Sequence, residues 1–205
     1  MSERRDHVVI IPVKSPGTAK SRLTAVSREQ RARLAAAFAT DVVDAALRTP
    51  GVVAVWVVSD DDGFAHLLAF RGARVCADPG MGLNAALRAG AAAARAVHPA
   101  ARPVALFADL PCLTSDDLAA ALAELVDGIA AFVADADGSG SSLYSAEYDD
   151  FDPCFGVDSA AAHRAAGAVP LQGALATLRR DVDDLAGLAD AMTLGVGPAT
   201  SAVVA

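Results

Sequence analysis

Short apolar runs alternate along the chain with longer segments in which apolar residues recur at helical spacing. His7–Val13 is the first such run, and residues 52–58 are apolar on both faces, as expected for a strand covered on both sides. Further strands are predicted at 73–77, 104–108, 129–134 and 175–182. Strands that alternate with helices are typical of βαβ units. The pattern therefore predicts an α/β fold with a largely parallel sheet.

Helices are predicted between these strands, and two of them begin at side chains that favour a helix N-terminus. Ser27 precedes Gln30 by three residues, a spacing that resembles a capping box. Thr114 or Ser115 is expected to cap a later helix, which is predicted to run to about residue 126. Between them, Leu83–Val97 is predicted to be helical after a Gly-rich turn.

The regular alternation is lost after residue 135. Residues 138–142 are rich in Gly and Ser and are predicted to form a flexible loop, and residues 147–152 are acidic. The chain has 205 residues, with no internal repeat and no long linker. We therefore predict one domain over residues 1–205, with an irregular flap on the substrate side at about 136–170.

Composition narrows the classes of partner. Apolar residues make up 54% of the chain, and 25 acidic against 17 basic residues give a net charge of −8. This charge argues against a general binder of nucleic acid or of anionic membranes, since both need a basic face. No apolar stretch approaches the ~20 residues that a membrane span needs. The three cysteines lack metal-ligand spacing and are predicted to be buried, reduced thiols of a cytoplasmic protein.

Candidate chemistry lies where predicted strands end, because open parallel sheets bind ligands beyond the carboxyl ends of their strands. Lys14, Lys20 and Arg22 follow the first strand and suit a triphosphate, although an ordinary solvated loop has the same composition. The glycines that a Walker A loop needs are missing there, which excludes a P-loop. Asp109 follows the 104–108 strand and suits a Mg²⁺ ion shared with substrate phosphates.

Two further carboxylates follow the 129–134 strand, and they leave two interpretations open. Asp135 is a candidate second metal ligand. Asp135 and Asp137 also match the opening motif of the haloacid-dehalogenase phosphatases, with one Asp as nucleophile and the other as acid or base. Too little chain follows to build the sheet of that phosphatase fold, so this is the minority interpretation.

Several separated motifs, taken in order, resemble the guanylyltransferases of coenzyme F420 biosynthesis that act on phosphoenolpyruvate or 2-phospho-L-lactate. The similarity covers about residues 8 to 200. The motifs are K-S-P-G-T-A-K-S-R-L, D-P-G-M-G-L-N-A-A-L, A-D-L-P-C-L, G-S-G-S-S-L, D-P-C-F-G-V-D-S, D-V-D and L-G-V-G-P-A-T. The resemblance implies a three-layer α/β/α fold with a mostly parallel mixed sheet, similar to nucleotide-diphospho-sugar transferases and Rossmann-like. It also implies transfer of GMP from GTP to a phosphorylated three-carbon acid, with release of pyrophosphate.

The resemblance also implies a set of site residues. Asp109 is expected to bind Mg²⁺ and to act in catalysis with the basic loop. The expected acid-binding residues are Ser141, Gly156 and Ser159, and the expected nucleotide-binding residues are Lys14, Lys20, Arg22, Gly82 and Asn84. Asp181 and Asp183 are kept from the family's D-V-D-T-P-x-D-L pattern, but Gly187 stands where its last Asp belongs. That departure weakens a metal role for this segment.

The acceptor and the partners stay open at this stage. Phosphoenolpyruvate, 2-phospho-L-lactate and 3-phosphoglycerate all pair a phosphate with a carboxylate. Another nucleotidyltransferase of the same fold, a phosphatase and a non-catalytic nucleotide-binding module are the alternative functions. A second copy of the chain and the next enzyme of coenzyme F420 biosynthesis are candidate partners. None of the four histidines is expected to be catalytic.

Overall fold

Seven strands form one sheet in the computed structural model, which describes residues 5–17 and 26–205. In chain order they are β1 (His7–Val13), β2 (Val52–Ser59), β3 (Arg74–Ala77), β4 (Arg102–Leu106), β5 (Ala131–Ala134), β6 (Ser141–Ser145) and β7 (Val169–Pro170). Across the sheet they lie in the order β3-β2-β1-β4-β6-β5-β7. The pairings of β6 with β4 and β5 are antiparallel, whereas the other pairings are parallel.

Helices cover both faces of this sheet. They are α1 (Arg28–Arg48), α2 (Asp62–Phe70), α3 (Leu83–Val97), α4 (Ser115–Ala123), α5 (Ser159–Ala165), α6 (Leu185–Leu194) and α7 (Pro198–Val204). One apolar layer joins the sheet to α1, α2 and α4, and another joins its opposite face to α3 and α5. The predicted three-layer α/β/α architecture with a mostly parallel mixed sheet is confirmed.

The apolar run of β1 shows why the sheet is covered on both sides. Val9 and Ile11 point into the layer of α1, and Val8 and Ile10 point into the layer of α3. All four side chains are fully buried. Since neighbouring residues of a strand face opposite sides, a continuous apolar run requires a helix layer on each side.

The predicted helix starts are confirmed at two places. Ser27 precedes α1, and its hydroxyl accepts a hydrogen bond from the Gln30 amide at 3.1 Å. Thr114 precedes α4 and accepts from the Asp117 amide at 3.2 Å. Helix α3 has the predicted bounds, whereas α4 ends at Ala123 and is shorter than predicted.

The sequence prediction missed strand β6. Residues 138–142 were expected to form a flexible loop, but β6 begins at Ser141 and pairs with both β4 and β5. The strand begins with two polar residues, Ser141 and Ser142, so its sequence lacks the apolar pattern of a buried strand. Both serines are nevertheless buried. The predicted flap at about 136–170 therefore contributes β6 and β7 to the central sheet, and its place on the substrate side stays a prediction.

The strand predicted at 175–182 was wrong, because this segment is an irregular turn. Its larger apolar residues are buried without forming a strand, and Leu175 has a positive φ of 42°. The Arg179 guanidinium donates hydrogen bonds to the carbonyl oxygens of Ala134, Leu171 and Gly173 at 2.8–3.0 Å. These bonds fold the segment against the end of β5, and they replace the bonds of a strand ladder.

A buried carboxylate joins the first and last helices. Asp41 lies on α1 and is 4% exposed, and its two oxygens accept hydrogen bonds from the amides of Ala199 and Thr200 at 2.9 and 2.8 Å. These amides belong to the first turn of α7, and the amides of a first turn have no acceptor within their own helix. Asp41 therefore caps a helix that lies about 160 residues further along the chain.

Replacing this carboxylate is expected to destabilise the fold. Asp41→Ala leaves two amides in the first turn of α7 without acceptors, so we expect the free energy of unfolding to fall by about 2–3 kcal/mol. Urea unfolding measures this change. Asp190→Ala is the control, because it removes an exposed carboxylate from α6 and is expected to cost less than about 0.5 kcal/mol. Equal losses in the two variants would contradict the capping role.

The three cysteines differ in burial. All three cysteines are free thiols; Cys112 is buried, and Cys76 and Cys154 are half-buried. The prediction of three buried thiols is therefore correct only for Cys112.

Among the residues that the structure describes, no helix combines the length and the hydropathy of a membrane span.

Candidate active site

One edge of the sheet collects the predicted catalytic groups. The parallel strands β1, β4 and β5 end at this edge, and they are followed by Lys14, Asp109 and Asp135. Strand β6 runs in the opposite direction and therefore begins at the same edge, with Ser141. The Phe107 amide donates to the Ser142 carbonyl oxygen at 3.2 Å, which extends the β4–β6 pairing one residue beyond β4, towards Asp109.

Three carboxylates meet beside the end of β4. Asp109, Asp181 and Asp183 each place a carboxylate oxygen within 4.8 Å of the others. The Val182 amide donates to the backbone carbonyl oxygen of Asp109 at 3.0 Å, so the two segments are held together by their main chains. Asp109 and Asp181 are half-buried, and Asp183 is exposed. We call these three residues the carboxylate cluster.

The electrostatics of the cluster favour a cation. Burial, followed by the charge of Asp109 and then that of Asp183, raises the pKa of Asp181 to about 6. A carboxyl group with a raised pKa is one whose charged form is poorly stabilised by its surroundings. A divalent ion among these oxygens would offset the burial and the repulsion between the carboxylates, and carboxylates are preferred protein ligands of Mg²⁺.

Asp135 stands beside the cluster and has a free coordination position. Its charge contributes to the raised pKa of Asp181. Its Oδ2 accepts a hydrogen bond from the Gly140 amide at 2.8 Å, whereas its Oδ1 is buried and has no hydrogen-bond partner among residues 5–17 and 26–205. A buried carboxylate oxygen without a donor is costly, and a cation would satisfy it. The donor set therefore fits a divalent cation.

Gly140 is required for this position of Asp135. A Cβ atom at residue 140 would lie 2.2 Å from the Asp135 Oδ2, which is far inside van der Waals contact. Any larger residue would therefore push the carboxylate aside. The G-S-G-S-S motif thus makes room for the Asp135 carboxylate and also provides the start of β6.

The sequence prediction undervalued two members of the cluster. It favoured Asp109 and Asp135 and weakened Asp181 and Asp183, because Gly187 replaces an Asp of the family pattern. Gly187 lies in the first turn of α6, where its amide donates to the Asp184 Oδ1 at 2.8 Å. This substitution therefore affects a helix start and leaves the two aspartates in place.

The D-V-D spacing itself contained the missing signal. In an extended segment, residues two apart point to the same side. Val182 is fully buried, which places Asp181 and Asp183 together on the other side of the chain. An alternation of acidic, buried apolar and acidic residues after an irregular segment would have indicated this pair.

The predicted acid-binding residues come from two different segments. Ser141 starts β6 and Ser159 starts α5, and their hydroxyl oxygens lie 3.2 Å apart. Both side chains are almost fully buried. Gly156 precedes Ser159 in the connecting loop and has a φ of 148°, which favours glycine. The structure brings the two serines into contact, and binding of an acid there stays a prediction.

Asn84 connects the predicted nucleotide side to this loop. Its Nδ2 donates to the Phe155 carbonyl oxygen, and its Oδ1 accepts from the Phe155 amide, both at 2.9 Å. Gly82 directly precedes α3 with a φ of 89°. The Asn84 side chain therefore fixes the backbone beside Gly156, and the nucleotide-binding roles of Gly82 and Asn84 stay predictions.

The basic loop is described only in part. Lys14 is exposed and directly follows β1 at the catalytic edge. The next residue, Ser15, donates through its hydroxyl to the Asp61 carboxylate at 2.9 Å, which holds the start of the loop near the end of β2. Lys20 and Arg22 lie outside the described residues, so their predicted roles stay predictions.

His163 is fully buried beneath the two serines. Its ring stacks on Tyr144 with a centroid separation of 4.8 Å and meets the edge of Phe155 at 4.9 Å. This burial lowers the pKa of His163 to about 4. The imidazole is therefore neutral near pH 7.

This buried imidazole gives a prediction about acid stability. Unfolded histidine titrates near pH 6.5, so between pH 6.5 and 4 the unfolded chain takes up a proton that the folded chain does not. We expect the free energy of unfolding to fall over this range, with about 3 kcal/mol of the loss due to His163. Urea unfolding at stepped pH should show a smaller loss in His163→Gln, and an unchanged loss in His66→Gln, which alters an exposed ring. Equal losses in wild type and His163→Gln would contradict the assignment.

The sheet order and the two helix layers define a fold that solved nucleotidyltransferases share. A solved nucleotidyl transferase from Methanothermobacter has the same architecture, with a TM-score of 0.62 at 15% identity, covering 92% of this chain and 97% of that one. A solved structure from Desulfovibrio desulfuricans that is described as a nucleotide-diphospho-sugar transferase has a TM-score of 0.63 at 20% identity, covering 92% of this chain and 96% of that one. The predicted likeness to the fold of these transferases is therefore confirmed.

The family is defined by closer similarities. Residues 7–163 match the family described as "Guanylyl transferase CofC like". The phosphoenolpyruvate guanylyltransferase of Streptomyces coelicolor is 47% identical over 201 residues, covering 96% of this chain and 95% of the relative. That of Thermomonospora curvata is 45% identical over 201 residues, covering 96% and 88%. The chain belongs to the CofC-like guanylyltransferase family, as its motifs predicted.

This membership bears on one of the two earlier interpretations of Asp135 and Asp137, the phosphatase pair. The family match includes both residues. Strand β6, which follows them, is antiparallel to its neighbours. Nothing in the comparisons supports the phosphatase alternative, which is therefore not retained.

Proposed function

We propose that the protein transfers GMP from GTP to phosphoenolpyruvate and releases pyrophosphate. The observation that carries this proposal is the meeting of the carboxylate cluster and the Ser141–Ser159 pair at one edge of the sheet. The names of the relatives support guanylyl transfer and phosphoenolpyruvate as acceptor. 2-Phospho-L-lactate and 3-phosphoglycerate carry the same two anionic groups, and they are the competing acceptors.

The chemistry requires little acid–base work from the protein. A phosphate oxygen of the acid attacks the α-phosphorus of GTP, and the bond from that phosphorus to the β-phosphate bridging oxygen breaks. The bonding electron pair leaves with pyrophosphate. Since the attacking phosphate is already an anion near neutral pH, no general base or covalent nucleophile is needed. Positioning and charge stabilisation are therefore the main tasks.

Charge repulsion between the substrates is the main obstacle. Two unit negative charges 4 Å apart repel by ~4 kcal/mol at an effective dielectric of 20, and these substrates carry several charges each. Asp109, Asp181 and Asp183, with Asp135 beside them, would hold Mg²⁺, which supplies positive charge to the phosphates when bound. Lys14, Lys20 and Arg22 are proposed to bind the phosphates of GTP, with Gly82 and Asn84 on the nucleotide side.

The acceptor is proposed to lie against the other segment. The hydroxyls of Ser141 and Ser159 and the backbone at Gly156 would hold its phosphate or carboxylate. Asn84 fixes the backbone of Phe155 next to this loop, so the two substrate sides share one rigid support. Cytoplasmic location, self-association and contact with the next enzyme of coenzyme F420 biosynthesis stay predictions.

A pyrophosphate-release assay with Mg²⁺ tests the proposal. GTP is offered with phosphoenolpyruvate, 2-phospho-L-lactate or 3-phosphoglycerate, one at a time, and ATP replaces GTP in a parallel series. We expect release with GTP and phosphoenolpyruvate, and loss of release in excess EDTA. Folded protein that releases no pyrophosphate with any acid would contradict the proposed function, and faster release with another acid would correct the acceptor.

A further inference from the structure

A chain of hydrogen bonds runs from the backbone through His163 to the predicted acid-binding serines. The Cys154 amide donates to the His163 Nε2 at 3.0 Å. The His163 Nδ1 lies 3.0 Å from the Ser141 Oγ, and the Ser159 hydroxyl donates to the same oxygen at 3.2 Å. All three side chains are at most 4% exposed. These hydrogen bonds are therefore shielded from water, and the low local dielectric strengthens them.

The first link fixes the tautomer of the imidazole. A backbone amide can only donate, so the Nε2 that it contacts must be the unprotonated nitrogen. The ring is neutral near pH 7 because its burial lowers the pKa to about 4. A neutral imidazole has one N–H group, which must then be at Nδ1. His163 therefore donates to the Ser141 Oγ.

The second link fixes the direction of the Ser141 hydroxyl. A serine oxygen has two lone pairs and one proton. His163 and Ser159 both donate to it, which uses both lone pairs. The proton of Ser141 is left to donate, and none of the residues that the structure describes accepts it. Ser141 is thereby converted from a group that can donate or accept into a donor.

A donor suits the ligand of the proposed function. Ionised carboxylate and phosphate oxygens can only accept hydrogen bonds. Ser141 follows Gly140, whose amide contacts Asp135, and β6 pairs with the strand that leads to Asp109. The oriented hydroxyl therefore lies on the same edge as the proposed metal-binding groups.

We propose that His163 is a positioning residue that orients the Ser141 hydroxyl to donate to the phosphorylated carboxylic acid, an inference that rests on the proposed function. His163 touches no substrate. It holds the loop at Cys154 through Nε2 and the hydroxyl through Nδ1, so one ring aligns two parts of the acid site.

Two substitutions at this position separate the two nitrogens. In His163→Asn, the side-chain amide nitrogen can take the place of Nδ1 and donate to Ser141. In His163→Gln, the amide reaches the place of Nε2 and can serve Cys154, but no donor is left for Ser141. We expect His163→Gln to raise the KM for the acid about tenfold or more, because a hydrogen bond to a charged group is lost. The KM for GTP should be unchanged, and His163→Asn should keep most of the affinity for the acid.

A double-mutant cycle with Ser141→Ala tests whether the effect passes through the hydroxyl. His163→Gln should add little to the loss that Ser141→Ala already causes. Fully additive effects, or equal increases in the KM for GTP and for the acid, would overturn the proposal. Thermal unfolding of each variant identifies a general loss of structure, which a selective change in one KM does not produce.

The tautomer is measured directly on the wild-type protein, without turnover. Long-range ¹H–¹⁵N spectra of protein with ¹⁵N-labelled histidine should show His163 neutral and protonated at Nδ1 at pH 7, assigned by loss of the signal in His163→Asn. Protonation at Nε2, or an imidazolium ring, would overturn the proposal. If the wild type releases no pyrophosphate, the proposed function fails, whereas these spectra still decide whether His163 donates to Ser141.

Discussion

Asp109→Asn is expected to reduce turnover by about a thousandfold and to leave the fold intact. The amide keeps the shape of the carboxylate but removes one negative charge from the carboxylate cluster. Loss of one charge–charge interaction of ~4 kcal/mol at an effective dielectric of 20 corresponds to about three powers of ten in rate. Pyrophosphate release measures the rate, and circular dichroism with thermal unfolding verifies the fold.

Asp137→Asn is the matched control for this variant. Asp137 is an exposed aspartate two residues after Asp135, at the same edge of the sheet. It is not part of the carboxylate cluster, so its amide variant is expected to have nearly wild-type turnover. Near-wild-type activity of Asp109→Asn would remove Asp109 from the metal site. Loss of activity in Asp137→Asn alone would contradict the metal role of the carboxylate cluster.

Asp181→Asn is expected to reduce turnover strongly and, at the same time, to stabilise the metal-free protein. Asp181 is half-buried, and its oxygen lies within 4.8 Å of the oxygens of Asp109 and Asp183. Without a cation, this arrangement forces like charges together, and a neutral amide relieves the repulsion. We expect the free energy of unfolding in EDTA to rise by ~1–2 kcal/mol, and turnover to fall by about a thousandfold.

Urea unfolding in EDTA and in Mg²⁺ measures both sides of this trade-off. Wild-type protein should be stabilised by Mg²⁺, because an ion that binds only the folded state shifts the equilibrium towards it. Asp181→Asn should lose most of that stabilisation. Asp190→Asn is the control: this exposed residue of α6 pairs with Arg180 at 3.3 Å and should change neither value. An Asp181→Asn variant less stable than wild type in EDTA would contradict the electrostatic account of the cluster.

The fold was largely predictable because the apolar pattern is strong where both faces of the sheet are covered. Strand β1 and helix α3 have the predicted bounds. Strand β6 was missed, since its first residues are serines whose burial depends on tertiary contacts. The segment 175–182 has the apolar content of a strand, but side-chain hydrogen bonds from Arg179 fold it irregularly.

The motifs predicted the residues of the candidate site, but they did not predict the contacts that hold those residues in place. Asp109, Ser141, Gly156 and Ser159 lie in segments that the structure brings to one edge. The supporting contacts of Asn84 and His163 could not be inferred from spacing. Asn84 contacts a loop that is distant in the sequence, and the role of His163 depends on which ring nitrogen makes each contact. Such contacts depend on the complete fold.

Binding of a divalent ion by the carboxylate cluster is the central claim, and crystals grown with Mn²⁺, GTP and phosphoenolpyruvate test it most directly. Anomalous scattering locates the manganese without assumptions about the protein ligands. We expect a peak within about 2.0–2.3 Å of oxygens of Asp109, Asp181 and Asp183, adjacent to a substrate phosphate. Substrates bound at this edge with no manganese on those three carboxylates would contradict the claim.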